Sequence, residues 1–114
     1  MKKDTIANNW KYTEERVAEL LALPHDWFGD LKVRRISQKT GDNTLKFLKW
    51  LSESFTEIPC PCIFPTVEGT INLEWSRIGD TSYEAEISET QINIFGLNMK
   101  TDKSFDYVLP FFVV

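Results

Sequence analysis

The sequence predicts an α+β fold, with two N-terminal helices packed on one face of an antiparallel β-meander of four to five strands. Three observations predict it. Apolar residues recur at helical spacing as far as Phe55, and they alternate with polar residues from Ile71 onward. Between the two patterns stand Pro59 and Pro61, which have no backbone N–H to continue a helix.

The first helix rests on Ile6, Trp10, Val17, Leu20 and Leu21, whose spacing places them along one helical face. It begins near Asp4 or only at Thr13, where a capping hydroxyl precedes Glu14 and Glu15 at the positive end of the dipole. Pro24 ends it near Leu21 or Ala22. A connection around Trp27, Phe28 and Gly29 follows. Ser37 is the expected N-cap of the second helix, with Asp42 as an alternative start because Gly41 weakens the first turn. Thr44, Leu45, Leu48, Leu51 and Phe55 form its stripe, and Phe47 and Trp50 widen it, so this helix is expected to be buried on more than one side.

Ile63-Phe64 pairs with the next strand across Pro65–Gly69. Ile71, Leu73 and Trp75 then alternate with polar residues, and so do Tyr83, Ala85 and Ile87 beyond a Gly79-Asp80 turn. Gln91 to Phe95 and Phe105 to Leu109 complete the strands. The two helices are expected to cover the face carrying Leu73, Trp75, Tyr83, Ala85 and Ile87. One domain, residues 1–114, accommodates all of this.

Composition bounds the function classes. With 42% hydrophobic and 26% charged residues the chain has enough apolar surface to offset chain ordering. A formal net charge of −4 lacks the field for nucleic-acid binding, and Lys32, Arg34, Arg35 and Lys39 are too short and mixed a cluster to overturn that. Two N-terminal lysines lead into no apolar signal core, and no run approaches the length of a membrane span. The cytoplasm is therefore the expected compartment.

Leu23-Pro24 with Trp27 and Gly29, the run Pro65-Thr66-Val67-Glu68-Gly69-Thr70-Ile71-Asn72-Leu73-Glu74-Trp75, and Tyr83-Glu84-Ala85-Glu86-Ile87 carry a resemblance. The region from Leu20 to Ile87 resembles a group of small bacterial proteins of unknown function with the patterns LPxxWxG, PTPxGGxxLEW and LExEI. The chain departs from them at Phe28, Val67 and Thr70, where the patterns have a polar residue, Pro and Gly. The resemblance implies the same element order and carries no chemistry with it.

Five constellations are candidate sites. If the Gly79-Asp80 turn is central, Glu74 stands opposite Glu84 and Glu86 opposite Asn72, on the face away from Leu73 and Trp75. Such a patch is either a solvated face, a seat for a basic partner, or an oxygen-rich metal or catalytic site. His25 beside Asp26 has the residue types of a general base, yet no motif links them to a nucleophile, and a surface loop accounts for both. Cys60 and Cys62 lack zinc spacing and read as buried or half-buried structural thiols. Trp27-Phe28 is either a plug at the end of the core or a contact hot spot. The terminal apolar run from Tyr107 to Val114, in which Phe105, Tyr107 and Leu109 alternate like an edge strand before Phe111 and Phe112, needs covering, by this domain or by another chain.

The expected function is that of a non-enzymatic protein-interaction module, an antitoxin-like accessory protein or a phage-type inhibitor of a defence complex. Its expected contacts are Trp27, Phe28, Glu74, Glu84, Glu86, Phe111 and Phe112, and the partner is a protein or a second copy. No cofactor, metal ligand or catalytic residue is assigned. The alternative is a metal-dependent or catalytic module on the acidic sheet face.

Overall fold

The computed structural model describes residues 2–29, 33–55 and 57–110, with side chains from Trp10 onward. Two helices precede five strands: α1 (Lys2–Leu21), α2 (Gln38–Ser54), β1 (Cys62–Pro65), β2 (Ile71–Ile78), β3 (Thr81–Ile87), β4 (Gln91–Asn98) and β5 (Ser104–Pro110). The strands form one sheet in sequence order, each antiparallel to the next. Helix α1 lies on α2 and β1, and α2 lies on β2 and β3.

Thr13 sits inside α1 rather than at its start. Its hydroxyl is buried and donates to the Trp10 carbonyl at 2.6 Å, the back-bonding available to a mid-helix threonine. Val17 and Leu20 carry the buried stripe, with Trp10 and Leu21 half-buried at its margin. Ile6 lies outside the described side chains.

Ser37 caps α2, its Oγ accepting from the Thr40 amide at 3.1 Å. Phe47, Leu48 and Leu51 are buried, whereas Trp50 and Phe55 are 53% and 46% exposed. Helix α2 packs on α1 as well as on β2 and β3, as expected, and Phe47 widens its buried face. Trp50, expected to widen it too, and Phe55 are the exceptions.

The core joins Val17 and Leu20 of α1 and Phe47, Leu48 and Leu51 of α2 to Ile63, Ile71, Leu73, Trp75, Ala85, Ile87 and Ile92. A β1–β2 turn with Gly69 at φ +86 and a β2–β3 turn with Gly79 at φ +63 put glycine where the left-handed backbone needs it. Tyr83, expected under the helices, is only half-buried and lies at the core's margin.

Asn43 was not foreseen as a structural residue. It is buried on α2, and its Nδ2 donates to the Ser88 and Glu89 carbonyls, both at 3.0 Å, which ties the helix to the β3–β4 turn. Asn43→Ala leaves two carbonyls without their donor and is expected to cost about 1–2 kcal/mol. Denaturant titration checks this, and an unchanged midpoint would mean that water replaces the amide without loss.

Candidate interaction surface

Register puts the inner side of the sheet into three rows. Ile63, Leu73, Ala85, Ile94 and Tyr107 form one; Pro65, Ile71, Ile87, Ile92 and Leu109 form the second; Trp75, Tyr83, Gly96 and Phe105 form the third. Exposure rises along the first row from 0% at Leu73 and 1% at Ala85 to 60% at Tyr107. The alternation is the same on β5 as on β2, but the helices do not reach it. Every residue of β5 is exposed.

The uncovered strip is aromatic. Phe105 lies against Gly96, where a Cβ would land inside its ring, and it meets Tyr83 edge-on at 6.0 Å between centroids. Tyr107 follows at 5.5 Å from Phe105. Facing this strip, Trp50 stacks on Phe47 at 6.1 Å and meets Phe55 edge-on at 5.5 Å. Between the two lies an open groove of about 320 Å³, lined by Phe47, Trp50, Leu51, Phe55, Ile58, Trp75, Ile78, Tyr83, Ala85, Ile94 and Leu109. No charged side chain lines it. Pro110, the last residue of β5, lines the adjoining hollow with Leu109, Trp50 and Lys46.

The opposite face has Glu74 opposite Glu84 and Asn72 opposite Glu86, as expected, although the register that pairs them is set by an irregularity between Trp75 and Ile78 as well as by the Gly79-Asp80 turn. One row runs Cys62, Glu74, Glu84, Phe95, Asp106, and the next runs Phe64, Asn72, Glu86, Asn93, Val108. Glu86 accepts from the Thr70 hydroxyl at 2.7 Å, and Glu74 from the Asn72 amide at 3.2 Å. Glu74 and Glu86 are therefore held by neutral donors, and among the described residues no salt bridge reaches either of them. Among the described residues no group of three His, Cys, Asp or Glu side chains could hold a metal ion.

The remaining candidates are scattered. Trp27 and Phe28 pack edge-on at 5.5 Å, with Phe28 exposed, and neither joins the core cluster, so the pair is not its plug. They line neither apolar groove. Phe111 and Phe112 lie outside the described residues. His25 and Asp26 are exposed on the turn after α1. Cys60 is half-buried but Cys62 is exposed, because β1 directs that position to the uncovered face. Burial, with the neighbouring Cys62, pushes the Cys60 thiol above its ordinary value, away from the thiolate that a nucleophile requires. Arg34 and Arg35 line a cleft of about 410 Å³ that Glu68 and Glu89 also line, so it holds both signs of charge.

Of the residues on this surface, Trp50 is the one that the sequence gives no reason to place in a contact. Tyr107 and Leu109 belong to the terminal apolar run that needs covering, although Phe111 and Phe112 are its expected contacts. No described helix is long and apolar enough to cross a membrane. No family model, curated protein or solved structure matches the chain.

Proposed function

We propose that this protein acts by binding another protein, through the inner face of β4–β5 and the aromatic groove beside α2. The observation that carries the reading is a charge-free groove lined by the exposed Trp50 and Leu109, with the exposed Tyr107 on the same face of β5 opposite the groove residue Ile94. Contiguous apolar surface rimmed by polar residues marks contact sites, and Trp and Tyr are the residue types that dominate binding energy there. Covering these three side chains is worth several kcal/mol at about 25 cal/mol per Å². An antitoxin-like accessory protein and a phage-type inhibitor of a defence complex are both proteins that work by such a contact. The acidic face is a second surface of the same module, not a catalytic centre.

The test uses Tyr107→Thr combined with Leu109→Thr, which removes apolar surface while keeping a strong strand former at both positions. Parent and variant are immobilised and exposed to extract of the source organism, and the retained proteins are identified by mass spectrometry. The variant is expected to melt within a few degrees of the parent and to lose a protein that the parent retains. Identical retained sets from two folded proteins would sink the reading.

A further inference from the structure

We infer that the partner is bound by strand addition to β5, as an extended segment in which apolar residues alternate with Lys or Arg. This rests on the reading that the β4–β5 face binds protein, and it adds the partner's conformation and charge.

The two edges of the sheet differ. Both end in a proline, but β1 is four residues long, lies against α1, and has its Ile63 carbonyl bonded by Arg16 Nε at 3.0 Å. That edge is closed by the usual devices. β5 is seven residues long and runs in unbroken register with β4 from Ser104 to Pro110. Among the described residues no side chain bonds to its backbone. An unblocked edge of this length is a template for one more strand.

Side chains of an added strand point alternately to the two faces of the sheet. On the inner side they would meet Tyr107, Leu109 and the groove under Trp50, which is apolar. On the outer side they would meet Ser104, Asp106 and Val108, with Asp106 the one charged side chain of β5. The carboxylates of Glu84 and Glu86 lie two strands further in, beyond the uncharged outer positions of β4. The five strands hold a single basic residue, Arg77, and its guanidinium is engaged at the β2–β3 turn by the Gly79 carbonyl at 2.8 Å and by Asp80, so no strand cation answers Asp106. One occupant satisfies both faces: aliphatic or aromatic residues facing inward and Lys or Arg facing outward over Asp106. A second copy does so less well, because its own β5 would bring another Asp106 and no cation.

The probes are three synthetic peptides of about nine residues, long enough to span the edge. The first alternates valine with lysine, the second alternates valine with glutamate, and the third is the lysine peptide N-methylated at alternate residues. Each is titrated into the isotope-labelled full chain, with affinity and position read from backbone amide shifts. The lysine peptide is expected to shift amides of β5 and β4 and to bind at least about 10-fold tighter than the glutamate peptide. N-methylation is expected to cost about 10-fold or more by removing backbone donors, and Asp106→Lys to reverse the order of the two charged peptides. Equal affinities for both charges, indifference to N-methylation, shifts that map away from β5, or a homodimer that hides β5 would each overturn the proposal. If the peptides fail while Tyr107→Thr with Leu109→Thr still loses a captured protein, strand addition falls and the binding face stands. If that variant loses nothing, the face itself is wrong.

Discussion

Trp75→Ala is expected to cost about 3–5 kcal/mol, the range for deleting a large aromatic from a core that refills the space only in part. Trp75 is 8% exposed on β2, opposite Tyr83, and packs within the cluster shared by both helices. Its indole Nε1 donates to the Pro59 carbonyl at 2.7 Å, so the ring also fastens the segment that carries the chain from α2 into β1. The alanine variant loses packing and leaves that carbonyl without its donor. Trp75→Phe separates the two, because it keeps most of the ring and gives up the bond, for about 1–2 kcal/mol. Denaturant midpoints for parent, Phe and Ala should fall in that order. An alanine variant within 1 kcal/mol of the parent would show that the inner face is not organised around this residue. Against the ~5–15 kcal/mol that holds a small domain together, the expected loss brings the protein close to unfolding.

Gly96→Val is expected to cost about 2–3 kcal/mol and to act on the β4–β5 hairpin rather than on the helices. The backbone at Gly96 allows a side chain, but the space is taken, because the Phe105 ring lies over it from the neighbouring strand. Aromatic cover of a strand glycine is a device for pinning register, and the ring here also leans on Tyr83. Valine would turn Phe105 out into water and lose both contacts, which outweighs the gain in strand preference of up to about 1 kcal/mol. Amide exchange is the appropriate readout. Protection should fall in β4 and β5 and persist in β2 and α2. A uniform fall across the sheet would mean that the hairpin and the core unfold as one unit. Because β5 is the proposed docking edge, the same substitution should also weaken binding of the lysine peptide.

Much of the fold was legible because local rules and burial agree. Ser37 caps α2 as a serine before a helical stripe does, and glycines stand at the positive-φ positions of two turns. Glu74 does stand opposite Glu84, but the Gly79-Asp80 turn does not give that pair by itself: with Ile78 opposite Thr81, unbroken pairing would set Glu74 against Ala85, and a one-residue irregularity between Trp75 and Ile78 makes the difference. Legibility failed where two local signals competed. Thr13 before two glutamates has the features of a helix start, yet α1 runs through it. Trp50 and Phe55 fit the helical period, but period does not say whether anything lies opposite.

The sequence by itself determined the element order, the alternation that gives the sheet one apolar and one acidic side, and the excess of aromatics over what a small core requires. It did not determine which part of the apolar side is covered. That is a matter of where the helices sit. Since α1 lies over β1 and α2 over β2 and β3, cover thins out at β4, where Ile92 is buried and Ile94 half-buried, and β5 lies about 10 Å beyond β3. Tyr107 and Leu109 therefore have the pattern of core residues and the exposure of surface ones, and only the packing of the helices made them so.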